Sequence, residues 1–137
     1  MLDETDFEII KIMQNNSRAQ LQEIGNTVHL TGQAVRNRIT RLEKLGVIEG
    51  YTIKTDMSKL GRELIAFITV YMKTNNHSEF LKFIRDNILI TEAYRISGDG
   101  CYKLKVEAAG NKEIEVILDS ILPYGNYRLN LSIGKIK

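Results

Sequence analysis

The side chains best suited to chemistry lie between positions 33 and 44, where amides, a hydroxyl and cationic groups are concentrated. Of the six basic residues in positions 1–50, four fall between 36 and 44, and Glu43 is the only acidic residue there. Asparagine and glutamine can pair with adenine, arginine with guanine, and lysine with backbone phosphates. The pattern therefore predicts contact with double-stranded DNA. The candidate DNA-binding residues are Gln33, Arg36, Asn37, Arg38, Thr40, Arg41 and Lys44.

Overall charge hides this cluster. The chain of 137 residues has a formal net charge of +2. Positions 1–50 hold six basic and seven acidic side chains, a net of −1, and positions 51–137 hold thirteen basic and ten acidic ones, a net of +3. Local clustering is therefore the informative electrostatic signal.

Other kinds of site are disfavoured. Cys101 is the only cysteine, so it can form no intramolecular disulfide and complete no cysteine-rich metal site, and His29 and His77 have no companions at ligand spacing. We find no Ser/His/Asp set, paired carboxylates or phosphate-binding glycine loop, and therefore expect no enzyme, metal or cofactor. No basic-then-apolar leader and no apolar run near 18 residues is present, so we expect a cytoplasmic protein without a membrane partner.

A helix from about residue 32 to Leu45 must carry the cluster, with Thr31 as its N-cap and Gly46 as its left-handed C-terminal cap. At about 100° per residue, Val35, Ile39 and Leu42 form its core stripe. The outer face is then formed by Gln33, Asn37, Thr40 and Lys44, with Arg36 and Arg41 at its shoulders.

The competing interpretation is an ordinary solvated helix face. It is disfavoured because acidic partners are nearly missing and because a short apolar helix and a tight turn come directly before. Arg38 lies toward the core side of the helix. We expect its stem to be covered and its guanidinium to pair with a carboxylate or reach a flanking phosphate.

Three further elements complete the first part of the chain. A helix over residues 4–15 is capped by Asp3, and a short second helix covers about 20–28. His29-Leu30-Thr31 forms the turn, and residues 47–53 are strand-like. We expect a helix-turn-helix DNA-binding domain over 1–50, a connector strand and linker over 51–62, and a dimerisation and effector domain over 63–137.

The remainder alternates strands and helices. The expected order is a strand over 64–73, a helix over 78–88 capped by Ser78, strands over about 92–97 and 101–108 joined by Gly98-Asp99-Gly100, a helix capped by Asn111 and stopped by Pro123, and a strand over 127–135. This βαββαβ order is ferredoxin-like. Its helices cover one face of the sheet. Since the first strand is apolar on both sides, we expect a second subunit to cover the other face in an isologous dimer.

The chain resembles the Lrp/AsnC (feast/famine) family of transcriptional regulators over essentially its whole length. The similarity is carried by Leu2-Asp3-x-x-Asp6, by Leu30-Thr31-x-x-Ala34-Val35-x-x-Arg38-Ile39-x-x-Leu42-Glu43-x-x-Gly46-Val47-Ile48-x-Gly50-Tyr51, and by the βαββαβ half. The resemblance implies an α+β protein with an N-terminal winged-type helix-turn-helix followed by a ferredoxin-like domain. It also implies a homodimer that assembles to tetramers or octamers and senses amino acids at interfaces between dimers.

The sequence departs from the family pattern at three places. Gln20 stands where a Ser or Thr cap is usual, and His29 where the turn often has glycine. Around the strand turn the family often has Gly-x-x-Asp, whereas this chain has Gly98-x-x-Cys101. The candidate effector-binding residues are Gly98, Asp99 and Cys101.

Three functions compete. The leading one is a DNA-binding transcriptional regulator that acts as a dimer or higher oligomer and responds to an amino-acid-like effector. The second is an architectural protein that wraps DNA with low sequence specificity. The third is a small-molecule-binding or catalytic ferredoxin-like domain, which the missing catalytic constellation disfavours.

Replacement of the acid by Cys101 leads to a first prediction. A carboxylate is a natural partner for an ammonium group and a neutral thiol is not, so we expect free amino acids to bind weakly, differently or not at all. Calorimetric titration with the twenty amino acids measures this. Micromolar binding of any of them would contradict the prediction.

Overall fold

Three helices, α1 (Glu4–Asn15), α2 (Leu21–Val28) and α3 (Gly32–Lys44), form the first unit of a computed structural model that describes residues 1–137. This unit comprises Met1–Lys54, and the second unit comprises Thr55–Lys137. The helices enclose a small core because each presents an apolar stripe at helical spacing. Its buried members are Ile9, Ile24, Val28, Val35 and Ile39.

The turn between α2 and α3 has the geometry of a helix-turn-helix, which confirms the predicted motif. His29 adopts the left-handed conformation at φ 57° and ψ 42°, and the Leu30 N–H donates to the Gly25 carbonyl at 2.9 Å. Thr31 caps α3 as predicted, its Oγ1 accepting from the Ala34 N–H at 3.1 Å. The close approach leaves no room at Gly25, where a Cβ would lie 2.3 Å from the Leu30 carbonyl oxygen.

The predicted strand over residues 47–53 is wrong. Gly46, at φ 70°, turns the chain back so that the N–H groups of Val47 and Ile48 both donate to the Leu42 carbonyl, at 2.9 and 3.2 Å. Ile48 packs against the core, but Ile53 is 79% exposed. A strand needs a partner for its backbone groups, and the first unit contains no other strand to supply one.

The second unit follows the predicted βαββαβ order. Its elements are a 3₁₀ turn (Met57–Leu60), β1 (Leu64–Met72), α4 (His77–Asp86), β2 (Ile90–Arg95), β3 (Tyr102–Ala108), α5 (Asn111–Ile121) and β4 (Gly125–Leu131). The strands pair antiparallel in the order β2-β3-β1-β4, which places β1 inside the sheet. Ile68 of β1, for example, lies between Leu104 of β3 and Leu129 of β4.

Two predicted caps in this unit are wrong by one or two residues. Asn76, and not Ser78, is the N-cap of α4, since the Phe80 N–H donates to the Asn76 carbonyl at 3.3 Å. Gly110, and not Asn111, is the N-cap of α5. In both places several polar residues follow one another, so the sequence offers competing caps of similar quality.

The last strand is also shorter than predicted. β4 ends at Leu131 rather than at residue 135, and the Ser132 N–H makes a last bond to the Ile65 carbonyl at 2.8 Å. Because β1 begins at Leu64, the residues that follow have no partner strand, and Ile133 and Ile136 are exposed.

Only one face of the sheet carries helices. The face with Ala66, Ile68 and Val70 packs against α4 and α5 and forms the larger core, with Phe80 and Ile117 among its buried members. The residues of β1 that alternate with these belong to the other face. That helix-free face carries the side chains of Ile65, Phe67, Thr69 and Tyr71.

The tight approach at Gly25 leads to a second prediction. Gly25→Ala should lower the free energy of unfolding of the first unit by about 1–3 kcal/mol, because the new methyl group must displace backbone. Gly50→Ala is the matched control, since nothing lies within 4 Å of its Cβ position, and it should change stability by less than about 0.5 kcal/mol. Thermal unfolding followed by circular dichroism measures both, and equal stabilities would contradict the close approach.

Candidate nucleic-acid interface

Two carboxylates at the start of α1 bond to each other's backbone. The Asp6 N–H donates to Asp3 Oδ1 at 2.9 Å, and the Asp3 N–H donates to Asp6 Oδ2 at 3.1 Å. This reciprocal capping box satisfies N–H groups that the first helical turn leaves free. It also holds two negative charges together at one end of the helix, and Asp6 is completely buried.

Arg38 of α3 bonds to both carboxylates. Its Nη1 lies 2.8 Å from Asp3 Oδ2 and 2.8 Å from Asp6 Oδ1. The guanidinium therefore has the carboxylate partner expected for it, and 29% of the side chain remains exposed. Arg38 thus ties α3 to the start of α1.

Arg41, predicted at the shoulder of the outer face, also bonds toward α1. Its Nη1 is 3.1 Å from Asp6 Oδ2, and its other terminal nitrogen donates to the Met1 carbonyl. Arg41 follows Arg38 by three residues, so both project toward α1, and the long side chain of Arg41 reaches the buried carboxylate. Its guanidinium is therefore engaged within the unit, with 42% of the side chain exposed.

The ion pairs hold these groups in their charged forms. The hydrogen bond from Arg38, with that from the Asp6 N–H, lowers the pKa of the Asp3 carboxyl below its usual 3.8. Burial alone would raise the pKa of Asp6, but the Asp3 N–H and the two arginines outweigh it and lower that pKa too. The same contacts raise the pKa of Arg38. The positive charges of both arginines are thus balanced locally by two carboxylates.

The remaining predicted residues lie on the exposed side of α3. Arg36 and Lys44 form no ion pair. The Gln33 Nε2 donates to Asn37 Oδ1 at 3.0 Å. A shallow depression of about 510 Å³ follows this side of the helix. It is lined by Arg36, Asn37, Thr40, Arg41, Lys44 and Leu45. We call the exposed set Gln33, Arg36, Asn37, Thr40 and Lys44 the outer face of α3.

Glu43, the acidic residue beside this face, also has a hydrogen-bond partner. Tyr51 donates its hydroxyl to Glu43 Oε1 at 2.6 Å, and that hydrogen bond raises the pKa of Tyr51 above 10.0. Sequence reasoning missed Tyr51, whose partner nothing in the local pattern indicates. It predicted Asp3 as the cap of α1, which is confirmed, but did not link Asp3 to Asp6. Their spacing of three residues at a helix start is the capping-box signal that could have linked them.

The candidate effector residues lie around the turn between β2 and β3. Gly98 and Gly100 have φ values of 84° and 105°, which glycine adopts without strain. The Asp99 carboxylate is 73% exposed and lies 3.4 Å from Arg128 and 3.3 Å from the Tyr71 hydroxyl. Cys101 instead packs against the core, and its N–H donates to the Val70 carbonyl at 2.8 Å. Among the three candidates, only Asp99 offers an exposed charge.

Two further kinds of feature are not found. No group of three or more His, Cys, Asp or Glu side chains is arranged to hold a metal ion. None of the helices combines the length and the apolar character that crossing a membrane requires.

Comparison with known proteins identifies relatives over both units. The AsnC-type helix-turn-helix domain matches residues 2–43, and the Lrp/AsnC ligand binding domain matches residues 65–137. The HTH-type transcriptional regulator LrpB of Bacillus subtilis is 43% identical over 136 residues, which cover 99% of this chain and 91% of LrpB. LrpA of the same organism is 35% identical over 137 residues, with 98% and 100% covered.

Solved structures have the same fold. Bacillus subtilis LrpC superposes with a TM-score of 0.94 and 28% identity, covering 100% of this chain and 98% of LrpC. A transcriptional regulator of Neisseria meningitidis, solved as a complex with L-Met, superposes with a TM-score of 0.92. At 24% identity, covering 100% of this chain and 93% of that one, the second likeness concerns the fold alone.

The buried carboxylate leads to a third prediction. Asp6→Asn should lower the free energy of unfolding of the first unit by about 1–2 kcal/mol at neutral pH, because two charge-assisted bonds to partly exposed arginines are weakened. Since the pKa of Asp6 is lower in the folded than in the unfolded chain, its contribution is present above about pH 3.8 and is lost as the pH falls further.

Denaturant titration between pH 7 and pH 2.5 measures this effect. The wild type should lose more stability than Asp6→Asn below pH 3.8. Glu8→Gln is the matched control, since Glu8 is an exposed acid on the same helix. Identical pH profiles for the wild type and Asp6→Asn would contradict the role of the carboxylate.

Proposed function

The chain belongs to the Lrp/AsnC family of transcriptional regulators, and we propose that the outer face of α3 is the surface with which it binds double-stranded DNA. One observation carries the proposal. The outer face presents amides, a hydroxyl and two cations without ion-pair partners, whereas Arg38 and Arg41 are already neutralised by carboxylates. Uncompensated positive charge suits the phosphates that border a DNA groove, and hydrogen-bonding groups suit the base edges inside it.

The side chains of the outer face are suited to different parts of the DNA, some to base edges and others to phosphates. In a helix-turn-helix the second helix lies in the major groove, with base edges nearest its N-terminal half. Gln33 and Asn37 are therefore the first candidates for base contacts, and Thr40, past the middle of the helix, can bond to a base edge or to a phosphate. Arg36 can reach either a guanine or a phosphate, and Lys44, at the far end of the helix, is suited to a phosphate.

Arg38 and Arg41 have a positioning role in this proposal. Both guanidinium groups bond to the carboxylates at the start of α1, so substitution should lower the stability of the unit and weaken binding to all DNA sequences alike before it changes a contact to a base. For Arg41 this differs from the direct contact that the sequence alone favoured.

We propose a homodimer that pairs two such helices. The helix-free face of the sheet carries Ile65, Phe67 and Tyr71, which remain only half-buried in a single chain. Packing the same face of a second copy against it would remove apolar surface from water and close the interface by two-fold symmetry. A single recognition helix binds DNA weakly, so we expect the dimer to place its two helices on two half-sites of the duplex. Assembly of dimers to tetramers or octamers follows the family pattern, and light scattering measures it.

An effector site is proposed for the second unit, whose match is to a ligand binding domain. The relevant surface is the turn with Gly98, Asp99 and Cys101. A neighbour of similar fold was solved with L-Met. We propose a ligand of the same amino-acid-like class for this chain, bound weakly or differently because Cys101 replaces the acid of the family pattern. In this chain the exposed carboxylate at the turn is Asp99, with Arg128 beside it, so an entering ligand must compete with that ion pair.

Sequence-selective regulation is favoured over an architectural role in wrapping DNA. Architectural binding relies on cations that contact phosphates, whereas the exposed side of α3 presents two amides and a hydroxyl beside its two cations. Such groups carry sequence information only when they meet base edges.

Substitution of Arg36 tests the proposed surface. Arg36→Ala should weaken binding to a selected promoter duplex by about 5- to 100-fold. Lys44→Ala should reduce the slope of log affinity against log salt concentration by about one, because one phosphate contact is lost. Lys112→Ala, an exposed cation on α5, is the control and should leave affinity unchanged. Fluorescence anisotropy over a range of salt concentrations measures all three. Wild-type affinity in Arg36→Ala would contradict the proposed surface.

A further inference from the structure

Two amides on the outer face of α3 are hydrogen-bonded to each other. Gln33 and Asn37 lie one helical turn apart, and Gln33 Nε2 donates to Asn37 Oδ1 at 3.0 Å. Both side chains are exposed, so water could satisfy either one without this bond. We call Gln33 and Asn37 the amide pair.

The bond orients the amide of Asn37. A free asparagine can present its oxygen or its nitrogen in a given direction, but the N–H from Gln33 requires the Asn37 oxygen to face Gln33. The Asn37 nitrogen then points away with both of its N–H groups free. The oxygen keeps one lone pair, because an amide oxygen can accept two hydrogen bonds.

We infer that the amide pair acts as one recognition unit for an adenine in the major groove, with Asn37 contacting the base and Gln33 as its positioning residue. This inference rests on the proposed function, since it assigns sequence preference to the same DNA-binding surface. Adenine presents the N7 acceptor beside the N6 donor, and the oriented Asn37 amide presents one donor beside one acceptor.

The other bases match this pattern less well. Guanine presents two acceptors, O6 and N7, and so needs two donors in place of a donor and an acceptor. Cytosine offers a donor alone, and thymine an acceptor beside a methyl group. The hydrogen bond from Gln33 also polarises the Asn37 amide, which strengthens the next bond that the amide donates. Removing Gln33 should therefore weaken the contact made by Asn37.

Neighbouring residues do not replace the amide pair. Thr40 has one oxygen as both donor and acceptor, and so lacks the separate N–H and C=O groups that an amide presents side by side. Arg36 and Lys44 present donors only, which suit guanine and phosphate. Within the outer face, the amide pair is thus the unit whose pattern fits adenine.

The experiment combines base and protein substitutions. Duplexes that bind the wild-type chain are selected from a library with a randomised centre, and each adenine that selection retains is replaced in turn by 7-deazaadenine, which lacks only the N7 acceptor. Affinities are then measured by fluorescence anisotropy for the wild type, Asn37→Ala, Gln33→Ala and Lys44→Ala. All three substituted side chains are exposed, and thermal unfolding verifies that the variants remain folded.

The expected result is a penalty at one adenine of each half-site. There, 7-deazaadenine should weaken wild-type binding by about 5- to 100-fold and should leave binding by Asn37→Ala unchanged. Gln33→Ala should show an intermediate penalty because the amide is no longer held. Lys44→Ala, the matched control two turns from Asn37, should bind every duplex more weakly and keep the full wild-type penalty.

Two outcomes would overturn the inference while leaving DNA binding intact. One is a selected sequence with no adenine that is sensitive to 7-deazaadenine. The other is an undiminished penalty in Asn37→Ala. Failure of the wild type to bind any duplex of the library would instead overturn the proposed function, so the two failures are distinguishable.

Discussion

The N-terminal unit depends on one interaction, the attachment of Arg38 and Arg41 of α3 to Asp3 and Asp6 of α1. Its apolar core holds the three helices together, but apolar contact is non-directional and tolerates rotation of a helix about its axis. Hydrogen bonds between a guanidinium and a carboxylate require a defined geometry. Arg38 Nη1 lies 2.8 Å from both carboxylates, so these bonds select one rotation of α3 among those that the core alone would permit.

That rotation determines which charges the molecule presents. The two arginines that face α1 are neutralised by carboxylates, and Tyr51 engages Glu43 at the other end of the helix. What remains on the outer face is therefore cationic or able to hydrogen-bond, although the whole chain carries a net charge of only +2. Specificity and stability are in this way assigned to different sides of one helix. A dimer of the second unit would bring two such helices to two half-sites.

How much of this the sequence predicts depends on how local each feature is. The bounds of α3 follow from Thr31 and Gly46, and the inward position of Arg38 follows from helical periodicity, so both were predictable. The ion pair of Arg41 was not, because its carboxylate partner lies 35 positions away in sequence. The strand expected over residues 47–53 failed for a similar reason, since a strand forms only where another strand supplies hydrogen bonds. In the second unit the βαββαβ order followed from periodicity, whereas the exact helix starts depended on a choice among adjacent polar residues.

The central claim is that Arg38 positions the recognition helix and does not itself recognise bases. The most direct measurement is the ratio of affinities for a selected duplex and a shuffled duplex of the same composition, determined for the wild type and Arg38→Ala together with the free energy of unfolding. We expect an unchanged ratio and a lower free energy of unfolding for Arg38→Ala. A changed ratio for Arg38→Ala would contradict the claim.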